Sequence, residues 1–450
     1  MKLAVVVMAA GQGTRMKSTL PKVLHPILGK ILLRHVVDAV KPLAPRHIVA
    51  VVGHQAERIQ ATFGDEILYA HQTPQLGTGH AVQQAQAVLP DDVDAVLVVP
   101  GDLPLLTSDT FQQLLTIYQD SAGVLALLTV ARDDPQGFGR IIRHQSGTVA
   151  AIVEEADCTV DQKSIRELNV GAYLFQADWL WTNLPHIPLS PKGEYYVTDL
   201  VSLAVSQGHS VQAQPVTNPE EALGINTRVH LAQVEAAMQQ RINRRWMEAG
   251  VTIINPASTY IELDVTIGPD TTLYPNTYLQ GQTYIGQSCV IGPNSLVQNS
   301  TIGDNCLLRF SVVEEATMEN NVDIGPFAHL RKGAHLAEGV HMGNFGEVKN
   351  SYLGPGTKMG HFSYLGDITT GTNVNIGAGT ITCNYDGVNK NPTTVGDDAF
   401  IGSDTMLVAP VNIGKNSKTG AGSVVTKDVP DDSLAYGVPA RIKKSNNPPR

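Results

Sequence analysis

The sequence of 450 residues has few charged residues, few aromatic residues and no long apolar run. Charged residues make up 16% of the chain, against roughly 25% in an average globular protein, while hydrophobic residues reach 42%. A disordered chain has the opposite balance, so disorder is excluded. No apolar stretch approaches the ~20 residues that a transmembrane helix needs, and we expect no membrane span.

Cysteine is also scarce. Cys158, Cys289, Cys306 and Cys383 show no paired spacing, which favours reduced thiols in a cytoplasmic protein. The apolar start, LAVVVMAA, could pass for a signal peptide, but it is short and continues directly into GQGTRMK, which is more typical of a strand followed by a loop.

Basic residues are outnumbered, because 32 Lys and Arg face 42 Asp and Glu and the net charge is −10. An acidic surface repels a nucleic-acid backbone, so we expect no nucleic-acid partner. Any phosphate that the protein binds must therefore meet a local basic site.

A repeat dominates the second half, where 24 of the 41 glycines follow residue 250. An aliphatic residue followed by glycine recurs, often at multiples of six, at Ile267, Ile285, Ile291, Ile302, Ile324, Leu353, Leu365, Ile376, Ile401 and Ile413. Four positions after most of these stands a small residue: Thr271, Cys289, Ser295, Cys306, Ala328, Thr357, Thr380, Thr405 or Ser417. Short strands joined by tight corners predict a parallel β-helix whose interior holds these side chains. The register falters around 308–323 and 383–393, and the second stretch, CNYDGVNKNPT, is predicted to be a loop outside the coil.

The first half has a different pattern. Apolar, β-rich runs at 3–10, 47–53 and 95–102 alternate with helical stretches such as 32–41 and 79–89, which indicates a doubly wound α/β sheet covered on both faces. Ligands of such sheets bind at the carboxyl ends of the strands, where Gly11 and Asp102 fall. A helix over 228–250 separates the halves, so we predict domains at 1–227 and 251–450 with a helical linker between them.

The loop GQGTRMK matches neither a dinucleotide fingerprint nor a P-loop. It leaves a flexible turn with Arg15, followed by Lys22, and these two cations can neutralise phosphate oxygens. By chemistry alone, an ordinary glycine-rich turn with two solvated cations remains the alternative.

Longer motifs carry a family resemblance. MAAGQGTRM followed by LPKVLHPILGKILLRHV resembles the sugar-phosphate nucleotidylyltransferases, as do QLGTGHAV, PGDLPLL, GFGRI, ELNVG and GEYYVTD. With HLRKGAHL, GNFGEVKNS, GHFSYLGD and NIGAGTITCNYDG, the chain resembles the bacterial enzymes that join a glucosamine-1-phosphate acetyltransferase to an N-acetylglucosamine-1-phosphate uridylyltransferase. The resemblance implies a Rossmann-like nucleotidyltransferase domain, a linker helix, a left-handed parallel β-helix of hexapeptide repeats and a homotrimer. It implies acetylation of glucosamine-1-phosphate by acetyl-CoA, then transfer of UMP from UTP to give UDP-N-acetylglucosamine, a precursor of peptidoglycan and lipopolysaccharide.

For uridylyl transfer, the resemblance implies that Arg15 and Lys22 act on the phosphates and that Asp102 and Asn226 bind Mg²⁺, which prefers such hard oxygen ligands. It assigns binding of UTP and of the sugar nucleotide to Met8, Ala9, Ala10, Gly11, Lys22, Gln72, Gly77, Thr78, Gly139, Glu154, Asn169 and Asn226. Members of the family often carry an aromatic residue where this chain has Pro100, so only the backbone can serve there.

For acetyl transfer, the resemblance implies that His361 is the base that takes a proton from the glucosamine amine, a role that suits a group titrating near neutral pH. It assigns the amino-sugar phosphate to Arg331, Lys349, Tyr364 and Asn375. It assigns acetyl-CoA to Ala378, Asn384, Tyr385, Ser403 and Ala421, with Arg441 standing in for a late arginine that aligns poorly.

The sequence allows three alternatives. His329, His335 and His341 could suggest zinc, but a step of six moves one face around a three-sided coil, so they should diverge. A single-activity transferase with a structural coil has no need of His361, Asn384 or Tyr385. A non-catalytic scaffold has no need of the polar residues at 15, 22, 102 and 226. Assays of pyrophosphate release from UTP and of thiol release from acetyl-CoA discriminate among these hypotheses.

Overall fold

A computed structural model describes residues 1–135 and 137–445, and its chain forms two compact units, Met1–Met238 and the residues from Gln239 onward. The boundary lies inside the helix predicted over 228–250. The division into domains at 1–227 and 251–450 with a helical linker between them stays a prediction. None of the helices in these two ranges is long and apolar enough to cross a membrane.

The first unit alternates strands and helices. Its strands are β1 Leu3–Met8, β2 Pro26–Ile27, β3 Lys30–Ile31, β4 His47–Val52, β5 Leu68–His71, β6 Ala95–Pro100, β7 Leu125–Ala131, β8 Arg140–Arg143, β9 Val149–Val153, β10 Glu167–Gln176 and β11 Val211–Pro215. The helices are α1 Leu32–Val40, α2 Ala56–Phe63, α3 Thr78–Gln86, α4 Ser108–Gln119, α5 Val160–Lys163, α6 Ala177–Asn183 and α7 Asp199–Ser206, and α8 Arg228–Glu248 crosses the boundary between the units.

The main sheet has the order β11-β7-β10-β6-β1-β4-β5, with the hairpin β8–β9 attached to β10. Val5 and Val6 of β1 are fully buried in two separate apolar clusters, one on each face of the sheet. The prediction of an α/β sheet covered on both faces is therefore confirmed. The sheet is mixed, however, because β10 runs antiparallel to β6 and β7.

The second unit is a three-sided coil of parallel strands. The first face contains Thr252–Ile253, Thr272–Leu273, Val290–Ile291, Leu307–Leu308, Asp323–Ile324, His341–Met342, Lys358–Met359, Asn375–Ile376, Phe400–Ile401, Lys418–Thr419 and Ser433–Gly437, which pairs antiparallel with Ala440–Ser445. The second face contains Thr259–Ile261, Thr277–Gln280, Ser295–Gln298, Val312–Glu314, His329–Leu330, Gly346–Lys349, Ser363–Gly366, Ile381–Cys383, Met406–Val408 and Val424–Val425. The third face contains Thr266–Ile267, Tyr284–Ile285, Thr301–Ile302, Thr317–Met318, Ala334–Leu336, Ser351–Leu353, Ile368–Thr370, Thr393–Val395 and Val411–Ile413.

The predicted interior of the coil is confirmed, because the ten aliphatic residues of the repeat and the nine small residues behind them are all buried. Several glycines of the repeat lie where neighbouring coils come very close together. At Gly286, for example, a Cβ would lie 2.7 Å from the backbone of Gly303 on the next coil. Crowding between stacked coils, more than a special backbone angle at the corner, requires glycine at this position.

Both irregular stretches of the repeat have a structural cause. Val290 pairs with Leu307 and Leu307 pairs with Asp323, steps of 17 and 16 residues where the regular step from Thr272 to Val290 is 18. The coil is therefore slightly shorter there but unbroken. Between Asn375 and Phe400 the step is 25 residues, because the predicted loop lies outside the coil between Cys383 and Thr393.

The C-terminal half of α8 covers the start of the coil. Gln239 donates to the carbonyl of Thr259 at 2.7 Å and to that of Pro256 at 3.1 Å, and Asn243 donates to the same two carbonyls at 2.9 and 2.8 Å. Both side chains are buried. A solenoid needs such a cap, because its terminal coil otherwise exposes unpaired backbone groups.

Candidate functional site

A cleft of about 630 Å³ opens in the first unit at the carboxyl ends of β1 and β6. Its lining includes most residues predicted for the nucleotide and the sugar: Met8, Ala9, Ala10, Gly11, Arg15, Lys22, Gln72, Gly77, Thr78, Asp102, Glu154 and Asn169. Gly139 and Asn226 are not in this lining but contact it. The Gly139 carbonyl accepts from the Asn169 backbone N–H at 2.9 Å, and Asn226 contacts Arg15 and Lys22.

Four polar side chains converge at one end of the cleft. The Lys22 ammonium forms an ion pair with the Asp102 carboxylate and donates to the Asn226 amide oxygen at 3.3 Å. Arg15 donates to the same amide oxygen at 3.0 Å. One cation thus holds a carboxylate and an amide oxygen together, and these are donors of the hard type that Mg²⁺ prefers.

Two glycines of the cleft region have positive φ angles and approach neighbouring residues closely. Gly13 has φ +61°, and a Cβ there would lie 2.8 Å from Cβ of Lys22. Gly77 has φ +98°, and a Cβ there would lie 2.5 Å from the Tyr195 carbonyl oxygen. Because L-residues disfavour such angles, glycine at both positions lets the backbone approach closely.

Gln72, one of the residues predicted to bind UTP, is buried at one side of the cleft. Its amide donates to the Gly77 carbonyl at 2.9 Å and contacts His80 Nδ1 at 3.2 Å. The Thr78 hydroxyl accepts from the Val197 backbone N–H at 3.0 Å. The amide is thus fixed by its neighbours, a condition for reading the edge of a base.

The opposite side carries the predicted sugar residues. Burial raises the pKa of Glu154, and the Thr198 hydroxyl donates to its carboxylate at 3.2 Å. Asn169 donates to the Tyr173 hydroxyl at 2.7 Å and accepts from the Gly171 N–H at 3.1 Å. Burial also raises the pKa of Tyr173.

The sequence alone missed some of the lining residues, among them Gln75 and Tyr173. Gln75 donates to the Ala10 carbonyl and so holds the loop that follows β1. Glu194, Tyr196 and Thr198 of the motif GEYYVTD line the cleft as well. Its backbone pairs with the loop before α3, since Tyr195 N–H donates to Leu76 O at 2.8 Å. Pro100 forms part of the wall and offers no polar side chain.

In the second unit, one corner of the coil carries the predicted acetyl-transfer residues. His361 lies between the strands Lys358–Met359 and Ser363–Gly366, and Ala378, Ser403 and Ala421 lie at the same corner of later coils. His361 is exposed. Within 1–135 and 137–445, its imidazole has no hydrogen-bond partner, so both ring nitrogens are available.

The predicted phosphate clamp lies on the second face. Arg331 donates to Glu347 at 2.8 Å. The pKa of Lys349 is lowered, first because its ammonium adjoins that of Lys390 and then because Arg331 is near. Sequence reasoning missed Lys390, although it stands in the loop that was singled out. Three neighbouring cations form the local basic site that an acidic protein requires for a phosphate.

The remaining predicted residues are divided between the faces. Tyr364 shares the second face with the clamp, whereas Asn375 lies on the first face. Asn384 donates to the Asp367 carboxylate at 2.5 Å and anchors the loop, while Tyr385 is exposed. Arg441 is exposed on the strand Ala440–Ser445. Tyr364 and Asn375 therefore lie on the two faces that meet at the corner of His361.

The three histidines considered for zinc diverge as predicted. His329, His335 and His341 lie on the second, third and first faces respectively. Each ring contacts a carboxylate of the preceding coil at 2.6–2.9 Å: Glu314, Glu319 and Asp323.

Comparison with known proteins finds a family match in each half of the chain. Residues 5–251 match the family model of the MobA-like NTP transferase domain, and residues 264–299 and 392–427 match that of the bacterial transferase hexapeptide. The chain is thus of the class that joins an NTP transferase to a hexapeptide-repeat transferase.

Curated relatives specify the family. "Bifunctional protein GlmU" of Exiguobacterium sibiricum is 47% identical over 444 residues, covering 98% of this chain and 98% of its own. The protein of that name from Lactococcus lactis subsp. lactis is 49% identical over 440 residues, with 98% and 96% covered, and that of Heliobacterium modesticaldum is 47% identical over 435 residues, with 96% and 95% covered. The chain belongs to this GlmU family. It is a bifunctional enzyme with nucleotidyltransferase and acetyltransferase activities, as the sequence predicts.

Proposed function

We propose that the first unit transfers UMP from UTP to N-acetylglucosamine-1-phosphate and that the second unit acetylates glucosamine-1-phosphate with acetyl-CoA. The observation that carries the proposal is the pairing of two separate polar sites in one chain. One is the Lys22–Asp102–Asn226 cluster at the strand ends, and the other combines His361 at one corner of the coil with the cations at the far end of the second face.

In uridylyl transfer, a phosphate oxygen of the sugar phosphate attacks the α-phosphorus of UTP in line, and pyrophosphate leaves. Arg15 and Lys22 neutralise charge on the phosphates, while Gln72 and Thr78 orient the base. Glu154 and Asn169 hold the sugar from the other side of the cleft. The reaction needs no covalent intermediate, because positioning and charge neutralisation supply most of the catalysis of phosphoryl transfer.

Asp102 and Asn226 are the residues that would hold Mg²⁺. The fit rests on their oxygens, a carboxylate and an amide that already face one ammonium group. When bound, the ion would add positive charge where phosphate oxygens gather. Lys22 would then exchange part of its contact with Asp102 for contact with a phosphate.

In acetyl transfer, His361 takes a proton from the glucosamine amine as the nitrogen attacks the thioester carbonyl. The C–N bond forms, the C–S bond breaks and coenzyme A leaves as the thiol. Arg331, Lys349 and Lys390 hold the phosphate of the acceptor. Ala378, Ser403 and Ala421 present small side chains along the corner, which leaves room for the extended coenzyme A.

We also propose a cytoplasmic homotrimer whose acetyl-transfer sites lie between chains. The division of the predicted residues over two faces supports this, because a neighbouring copy could complete the set. Exposed aromatic residues beside the corner support it as well. Phe327, Phe345 and Phe362 are each more than half exposed, and such apolar patches mark interfaces.

The test combines two assays on purified protein: pyrophosphate release that depends on UTP and N-acetylglucosamine-1-phosphate, and thiol release that depends on acetyl-CoA and glucosamine-1-phosphate. Lys390→Met should raise the KM for glucosamine-1-phosphate about tenfold, since one charge-assisted contact is lost. Its matched control is Lys332→Met, because Lys332 is exposed and pairs with Glu315. Absence of either wild-type activity would overturn the proposal for that unit, and equal effects of the two variants would remove Lys390 from the phosphate site.

A further inference from the structure

Among the residues that the structure describes, Arg140 is the largest fully buried side chain, at 1% exposure. It stands on β8 and pairs with Val153 of β9 and with Leu168 of β10. The residues adjacent to these three positions are Gly139, Glu154 and Asn169. A single buried cation thus lies at the junction of the three segments that carry the sugar-binding residues of the proposed function.

The contacts of the guanidinium join the ends of these segments. Arg140 donates to the Phe138 carbonyl, and its Nη2 lies 3.6 Å from Oε1 of Glu155. The other oxygen of Glu155 accepts from the Gly137 N–H. Glu155 directly follows Glu154, so one carboxylate connects the loop before Gly139 to the residue beside Glu154.

A purely structural explanation does not account for this arrangement. Burial of a guanidinium is unfavourable unless its charge is paired, and an apolar side chain would fill the same space without that penalty. Here the charge has only one close carboxylate, and its Nε has no partner among the residues that the structure describes. The benefit of the cation must therefore lie in the positions that it fixes.

We infer that Arg140 and Glu155 are positioning residues for the amino-sugar phosphate in uridylyl transfer. They hold the Gly137–Gly139 loop and Glu154 at a fixed separation across the strands β8 and β9, so that the acceptor sugar finds a preformed pocket. Neither residue lines the cleft, and neither touches the nucleotide side. The inference rests on the proposed function of this cleft.

The test is steady-state kinetics of Glu155→Gln and Arg140→Lys. Each should raise the KM for N-acetylglucosamine-1-phosphate about five- to twentyfold and leave the KM for UTP within about twofold. Glu155→Asp, which keeps the charge, should recover part of the loss. The unchanged KM for UTP shows that the first unit is folded in all three variants, and acetyl transfer should be unchanged as well. Glu66→Gln, in an ion pair with Arg34 outside the cleft, is the matched carboxylate-to-amide control.

If Glu155→Gln changes neither KM, or changes both equally, the inference is overturned. If the Asp and Gln variants are equally impaired, the charge plays no part and the inference is again overturned. If the wild-type protein does not transfer uridylyl groups to this acceptor, the proposed function fails instead, so the two failures are distinguishable.

Discussion

At the scale of single residues, Lys22 contacts both oxygen donors at the end of the cleft. One ammonium group holds Asp102 and Asn226, the proposed Mg²⁺ ligands, close together. Replacing the Asp102 carboxylate by an amide removes its charge but keeps its shape, so such a variant tests the charge separately from packing.

Asp102→Asn should lower uridylyl transfer at least about 100-fold while acetyl transfer stays near normal, since the amide cannot supply the charge that binds Mg²⁺. The measurement is the rate of pyrophosphate release at saturating substrates and several Mg²⁺ concentrations. Asp109→Asn, at an exposed carboxylate on α4, is the control. Unchanged uridylyl transfer in the Asp102 variant would remove this residue from the metal site.

His361→Ala should lower acetyl transfer by a factor on the order of 10²–10⁴ if this imidazole is the general base. The loss should fall on kcat more than on KM, whereas Arg331→Ala should mainly raise the KM for glucosamine-1-phosphate. Thermal stability should hardly change, because His361 is exposed.

Steady-state kinetics of both activities checks this, with His341→Ala as the control on another face of the coil. Wild-type acetyl transfer in the His361 variant would place the base elsewhere. A parallel loss of both activities would contradict the assignment of the two reactions to separate units.

Motif matching predicted many of the residues that line the cleft but not the contacts that hold them. Gln72 and Glu154 stand in sequence patterns that resemble a family, so they could be named from the sequence. Tyr173 lies in an apolar strand and looks like a core residue, because its contact with Asn169 depends on a β-bulge between Asn169 and Tyr173. Lys390 could not be assigned, because its neighbour Lys349 is 41 positions earlier and meets it only through the stacking of coils.

At the scale of elements, the repeat predicts which residues enter the coil but not the length of each turn. The shortened turns after Val290 and the loop after Cys383 both interrupt the six-residue period of the sequence. The period shows only that the register changes, so it does not distinguish a shorter turn from a loop. The distinction requires the strand pairings. The antiparallel β10 was likewise beyond prediction, because an apolar strand has the same composition in either direction.

The cap on the coil gives a prediction for α8. The double variant Gln239→Leu/Asn243→Leu removes the donors to Pro256 and Thr259 and should destabilise the second unit by on the order of 3 kcal/mol, because buried carbonyls are left unpaired. Gln240→Leu/Arg244→Leu is a matched control with the same spacing on the exposed side of the helix.

The measurement is urea inactivation followed by both assays. Acetyl transfer should be lost at a lower urea concentration in the capping variant, while the midpoint for uridylyl transfer and the control stay in place. Equal midpoints for the two double variants would contradict a capping role.

At the scale of the whole molecule, the placement of the two sites determines which activity can depend on oligomerisation. The cleft of the first unit brings together most of the residues proposed for the nucleotide and the sugar within one chain, whereas the residues proposed for acetyl transfer are divided between two faces of the coil. Closed symmetry is the general expectation for such assemblies, and three chains packed side by side would bring unlike faces together. Only one of the two activities should therefore depend on the oligomer.

We expect Phe345→Asp to dissociate the proposed trimer and abolish acetyl transfer while uridylyl transfer continues. Phe345 is exposed, stacks on Phe327 at 5.2 Å between ring centres and has a φ of +56°, a backbone angle that Asp tolerates better than Phe. The substitution should thus harm the interface and not the coil.

Light scattering gives the mass of each variant, and both assays are run on the same samples over a dilution series. Tyr284→Asp, at an exposed aromatic residue on the third face, is the control. A monomer that retains full acetyl transfer would show that one chain completes the site alone, and a Phe345 variant that stays trimeric would place the interface elsewhere on the coil.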